Sequence, residues 1–166
     1  KERMRLKKQE KNEIDVQQVL LAHIREDGAE QTLEEHLQGT ARLAEQFANA
    51  FQAGDFGRQA GGIHDHGKSS REFQNRLRGD SKPVNHSDAG AQMLFQKGSD
   101  ISAICVAGHH SGLPNWGAGA DPAGASTFQG RMKRRDLPVC LPKPQLPLEL
   151  TPPPLPESYR GPMNRL

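Results

Sequence analysis

Gly62-Ile63-His64-Asp65-His66-Gly67-Lys68-Ser69 decides how this chain is read. The stretch matches the G-x-x-x-x-G-K-[ST] pattern of a phosphate-binding loop, and it also holds a His-Asp pair followed by Gly-Lys. A phosphate loop needs a buried strand before it and a helix after it. The preceding residues, Asp55-Phe56-Gly57-Arg58-Gln59-Ala60-Gly61, contain no β-branched run. The loop interior would aim the carboxylate of Asp65 at the phosphates, and no acidic residue follows an apolar strand to hold magnesium. The nucleotide-loop reading fails on these grounds, which leaves His64-Asp65 as the centre of the stretch.

Outward from that centre, residues 32–116 read as globular, while both ends are polar or Pro-rich. The chain has 166 residues, which suits one domain, and its hydrophobic share of 34% is low for a globular chain. Thr32-Leu33-Glu34-Glu35 has the spacing of a capping box and predicts a helix from there to about Phe51. Leu33, Thr40, Leu43, Phe47 and Phe51 fall on one stripe at about 100° per residue, and His36 lies inside it. Further helices are expected through Phe56, Ala60 and Ile63, over Ser69 to Leu77, after Asn85 or Ser87 as cap, and over Ile101 to Ala107. Residues 1–12 either extend a helix through Ile14, Val16, Val19, Leu20 and Leu21 or stay unstructured.

Past Trp116 the texture changes to Gly and Ala. Nine of the twelve prolines then lie between Pro138 and Pro162, so that segment is a linker or an irregular insertion lying on the domain. The net charge is only +2. The positives are local, at Lys1 to Lys11 and at Arg131, Lys133, Arg134 and Arg135, where they can contact phosphates or stay solvated. Cys105 and Cys140 form no Cys-x-x-Cys pair, and Cys105 sits in an apolar run as an expected core residue. No apolar run approaches about 18 residues and no signal peptide is visible, so a cytoplasmic protein without a membrane partner is expected.

Seven histidines are present, and His36, His64, His86, His109 and His110 each stand in or at the end of an expected helix, with Asp65 beside His64. Imidazoles suit zinc, iron, nickel, cobalt and manganese, and a carboxylate can bridge two ions. Two ions about 3.5–4 Å apart bind a phosphodiester, activate water and stabilise the leaving oxygen.

The order His36, His64-Asp65, His86, His109-His110 resembles the HD-domain metal phosphohydrolase superfamily. More narrowly it is similar to the HD nuclease domain of the CRISPR-associated helicase–nuclease of type I systems. The residues that carry the resemblance are Glu35-His36-Leu37, His64-Asp65-His66-Gly67-Lys68-Ser69-Ser70 with Phe73-Gln74, His86-Ser87-Asp88-Ala89-Gly90-Ala91, and Gly108-His109-His110-Ser111-Gly112-Leu113-Pro114. The resemblance covers about residues 20–116 and implies an all-α HD-domain helical bundle over 13–116. A basic segment, 1–12, would precede the bundle, and a Pro-rich irregular segment, 117–166, would follow it.

By the same resemblance, His36, His64 and Asp65 hold one divalent transition-metal ion, and Asp65, bridging, holds a second with His86, His109 and His110. The ions are manganese, iron, cobalt or nickel rather than magnesium. Asp65 and Lys68 are the implied catalytic residues, with the Lys68 ammonium near the scissile phosphate. Ser87 is read as a helix cap, His66 is assigned no metal, and His23 is placed at the surface or behind the ligands. The implied activity is two-metal cleavage of single-stranded DNA in CRISPR interference. The implied partners are a helicase domain in cis or trans and the CRISPR surveillance complex. The family carries a further aspartate on a later helix, whereas Asp121 and Asp136, the aspartates after Trp116, lie in no helical apolar pattern. Truncation before that last ligand is therefore expected. Two other functions share these ligands: an HD-type nucleotide phosphohydrolase, and an inactive metal-binding domain that docks on a partner.

Overall fold

Gly28 makes the first turn possible. Its φ of +81° is open to glycine and strained for other residues. Arg25 N–H donates to Ala29 O at 2.9 Å, and Asp27 Oδ1 accepts from Ala29 N–H at 3.0 Å. The turn joins strand β1 (Leu21–Ile24) to strand β2 (Glu30–Thr32), antiparallel, with a bulge between Leu21 and His23. This small sheet is the one departure from the all-α expectation among the described residues, which are otherwise helical or irregular. Gln74 Nε2 donates to Leu21 O at 2.8 Å and Gln74 Oε1 accepts from Leu21 N–H at 3.1 Å, so a side chain occupies the strand's open edge. Leu20 and Leu21 therefore do not continue a helix.

The structure is a computed structural model that describes residues 19–80, 82–141 and 143–157; the basic segment 1–12 and the expected helix through Ile14 and Val16 lie outside them. Six α-helices make the described chain mostly helical. Helix α1 (Leu33–Asn49) starts in the expected capping box, with Glu35 N–H donating to Thr32 Oγ1 at 3.2 Å and Thr32 N–H to Glu35 Oε2 at 3.2 Å. Its buried face is Leu33, Leu37, Ala41 and Ala48. The expected apolar stripe is thereby corrected, because Leu43, Phe47 and Phe51 are 54%, 73% and 55% exposed. Helix α2 (Gly54–Ile63) lies close along α1, and such an approach selects Ala over larger residues. The hydropathy stripe followed the large side chains instead.

After α2 come a 3₁₀ turn (His66–Ser69), α3 (Arg71–Leu77, capped by Ser70 Oγ), α4 (Ser87–Gln96) and α5 (Asp100–Gly108). A helix, not a strand, thus precedes Gly67-Lys68, which excludes a phosphate loop on structural grounds as well. Gly67 has no room for a Cβ, which would collide with the backbone of His86. That close approach seats the 3₁₀ turn against the start of α4. His86, not Asn85 or Ser87, is the N-cap residue of α4; Ser87 is already helical, and Asn85 Oδ1 accepts from Asp88 N–H at 3.1 Å.

Helix α6 (Phe128–Met132) brings a fully buried Phe128 into the core formed by Ile63, Ala91, Leu94, Ala103, Val106 and Ala107. A second cluster joins Ala22 of β1 to Leu33, Leu37 and Leu146, and Leu148 packs on both. The Pro-rich segment lies on the helices, and two glutamines fasten it. Gln59 Nε2 donates to Glu149 O at 2.8 Å and Thr151 O at 2.9 Å; Gln92 Nε2 donates to Arg131 O at 3.1 Å and Arg134 O at 3.0 Å. Cys105 is exposed rather than in the core. No helix among the described residues is long and apolar enough to cross a membrane.

Candidate metal centre

Asp65 follows the last turn of α2 and is 3% exposed, so its carboxylate is fixed inside the protein. One oxygen, Oδ2, lies 2.9 Å from His36 Nε2, 3.1 Å from His64 Nε2 and 2.9 Å from Lys68 Nζ. The other, Oδ1, lies 3.5 Å from His86 Nε2 and 3.4 Å from His109 Nε2. His110 Nε2 is 2.6 Å from His86 Nε2. Helix α1 supplies His36, the end of α2 supplies His64, the start of α4 supplies His86, and the end of α5 supplies His109 and His110. All six sequence-expected ligands are thus in one place.

The outer ring nitrogens set which way the lone pairs point. His64 Nδ1 is 2.9 Å from Gly61 O, His109 Nδ1 is 2.7 Å from Val106 O, and His86 Nδ1 is 3.3 Å from Val84 O. A carbonyl only accepts, so each Nδ1 carries a proton and each ring turns its Nε2 towards Asp65. An Nε2 aimed at a carboxylate either carries a proton of its own or offers its lone pair to a cation between them. Asp65 Oδ1 and His109 Nε2 are buried without a hydrogen-bond partner.

The donor spacing fits such a cation. Bonds of about 2.2 Å at right angles put neighbouring donors about 3.1 Å apart. The triangle of His36 Nε2, His64 Nε2 and Asp65 Oδ2 has sides of 3.2, 2.9 and 3.1 Å. On the other side, Asp65, His86, His109 and His110 each offer an atom within 4.8 Å of the rest. A set this rich in imidazole suits manganese, iron, cobalt or nickel better than magnesium.

Burial opposes ionisation of Asp65, but the imidazoles of His109, His36 and His64 outweigh it and hold the carboxyl well below the usual range. Burial pushes His86 down to about 4 and lowers His110. Burial, reinforced by Lys68, also lowers His23.

Lys68 is 5% exposed and not a solvated loop residue. Besides Asp65, its ammonium reaches Ala22 O at 3.2 Å and His23 Nε2 at 3.3 Å. His66 is buried and joins neither ligand group. Asp121 does not reach the centre: its Oδ2 accepts from Thr127 Oγ1 at 2.6 Å. Asp136 pairs with Arg134 at 2.8 Å.

Sequence reasoning missed what supports the centre. Asp88 is fully buried; it accepts from Arg131 Nε at 2.7 Å and from Asn85 Nδ2 at 2.8 Å, two residues past His86. Arg131 also donates to Ser87 Oγ at 3.2 Å, and Lys133 Nζ donates to Gly119 O and Asp121 O at 2.6 Å each. Arg131, Lys133 and Arg134, which as a cluster suggested phosphate contacts, are thus engaged internally. The only sequence signal was Asp88 itself, inside the His-Ser-Asp element. A cleft of about 740 Å³ opens beside His86 and His110, lined by Glu72, Asp80 and Asp136 as well as Lys82 and Arg134. No family model and no curated protein sequence matches the chain.

Proposed function

We propose that the chain is an HD-type nuclease domain that hydrolyses phosphodiesters of single-stranded DNA with two divalent transition-metal ions. The observation that carries this is the Asp65 carboxylate, whose two oxygens face the Nε2 atoms of two separate histidine sets. His36, His64 and Asp65 Oδ2 would hold one ion; Asp65 Oδ1 with His86, His109 and His110 would hold the other. When bound, such ions supply an activated water and offset the charge that builds on the leaving oxygen. The protein's own part is to turn the Nε2 atoms of His64, His86 and His109 inward by holding each Nδ1 against a backbone carbonyl, and to place an ammonium at the same carboxylate. Lys68, freed from Asp65 Oδ2, would meet the phosphate. CRISPR interference, with a helicase domain and the surveillance complex as partners, is the setting that the resemblance of these motifs suggests.

The mixed charge of the neighbouring cleft favours a second reading, an HD-type hydrolase of nucleotides, because a polyanionic strand is better matched by a basic groove. One assay separates the two. The protein is incubated with manganese, cobalt, nickel or iron and offered single-stranded DNA or nucleoside mono- and cyclic phosphates, with Asp65→Ala as control. DNA cleavage that the control lacks supports the nuclease. Turnover of the small phosphoesters alone supports the second reading, and turnover of neither overturns both.

A further inference from the structure

The geometry points to His23 as a further protein ligand for the ion on the Asp65 Oδ2 side, delivered by the β-hairpin rather than by the helices. This rests on the two-ion reading above. His23, His36 and Asp65 each offer one donor atom, and these atoms lie within 4.8 Å of one another. Donors bound at about 2.2 Å to one ion are about 3.1 Å apart as neighbours and about 4.4 Å apart when opposite. The set therefore closes with shifts of a few tenths of an ångström, about the freedom of an exposed ring.

The direction of the lone pair is independent support. Lys68 Nζ has only protons to give, so at 3.3 Å it meets the lone pair of His23 Nε2. The same ammonium lies 2.9 Å from Asp65 Oδ2 and 3.2 Å from Ala22 O. A carboxylate, a carbonyl and an imidazole already converge on one cation, the donors that a divalent ion takes. A divalent ion bound there would take the place of the ammonium.

The hairpin is built to hold this aim. The bulge between Leu21 and His23 turns the side chain away from simple strand alternation. Gln74 binds Leu21 N–H and Leu21 O at 3.1 and 2.8 Å and Lys68 O at 2.8 Å, so the strand and the lysine loop are fastened by one amide. The His23 ring packs edge-on against His36, with centroids 4.9 Å apart. Among the described residues, no carboxylate other than Asp65 joins this group.

The test is calorimetric titration of the full chain with manganese, repeated with cobalt to read the absorption of each site. His23→Phe keeps a ring against His36 but removes both nitrogens; His64→Ala marks the same side. Wild type should bind two equivalents. His23→Phe should keep one at wild-type affinity, bind the other at least tenfold more weakly, and lose the cobalt band that His64→Ala also loses. Two equivalents at unchanged affinity in His23→Phe would overturn the assignment of His23 and leave the two-ion reading standing. No binding by wild type would overturn both. Metal-free melting of His23→Phe should match wild type, since the ring is exposed. A lowered melting point together with weakening of both equivalents would make His23 a structural residue and also overturn the assignment.

Discussion

The two oxygens of Asp65 meet different surroundings. Oδ2 already has a cation, Lys68 Nζ at 2.9 Å, and its histidines stand on the long α1 and at the end of α2. Oδ1 has no hydrogen-bond partner and faces histidines at the ends of α4 and α5. Charge is therefore answered on one side and open on the other. A first divalent ion should enter at Oδ1, where it displaces nothing. An ion at Oδ2 must displace an ammonium and should bind more weakly. The supports differ too: the Oδ2 side leans on the hairpin through Gln74, and the Oδ1 side on Asp88 and Arg131.

Asp65→Asn should have the largest effect, because it removes the charge that both sides share. On the proposed two-ion nuclease reading, manganese binding on both sides should be lost, and strand cleavage should fall by on the order of a thousandfold or more. Denaturant unfolding in chelator should show a loss of about 3 kcal/mol, since the Lys68 ammonium stays buried without its partner. If the variant still bound one ion at wild-type affinity, the bridging role of Asp65 would be wrong and the two sides would be separate sites.

Asp88→Ala should separate the sides. It leaves Arg131 and Arg134 without their buried carboxylate, at a cost of about 3 kcal/mol in chemical denaturation. Where the variant remains folded, the Oδ1-side ion should bind about tenfold more weakly, because the turn that aims His86 is loosened. The His36 and His64 side should hold its affinity. Equal weakening of both would mean that the Asp88–Arg131 pair supports the whole fold rather than one side.

Acid should also act unevenly. Burial holds His86 down at about 4, against 6.5 for an ordinary imidazole. Between these values the unfolded chain binds more protons than the folded one. The stability of the metal-free protein should therefore be full above about pH 6.5 and fall by about 3 kcal/mol as the pH drops to about 4. His86→Gln should flatten that window in thermal melts taken in chelator. The Asp65 carboxyl, held well below its usual range, gives stability that is present above its ordinary value and lost only under stronger acid. If the His86→Gln melts kept the full slope, the group responsible would lie elsewhere.

What was legible in the sequence was mostly local. The Thr32–Glu35 box needs only neighbours in the same turn, and the structure has it. The histidines were legible as a set through the order of their motifs. The hairpin was not, because what closes its edge is Gln74, 53 residues away. The strap on α4 was not either, because Arg131 meets Asp88 across 43 residues and from a segment whose prolines read as a linker. His23 carries no motif, and only the bulge aims it.

The smallest effect expected is at α1, where the sequence pattern and the packing disagree. Leu37 is 1% exposed and sits next to His36, whereas Phe47 is 73% exposed on the face that hydropathy favoured. Phe47→Ser should change stability by no more than about 0.5 kcal/mol and leave both ions at wild-type affinity. Leu37→Ala, as its control, should cost about 3 kcal/mol and weaken only the Oδ2-side ion, because the turn that presents His36 loses its anchor. Burial on this helix is decided by how closely α2 and β1 approach, so Ala41 and Ala48 mark the buried face better than the larger Leu43 and Phe47 do. A large loss in Phe47→Ser would mean that this face is covered in solution, and the anchoring of the Oδ2 side would then have to be assigned to whatever covers it.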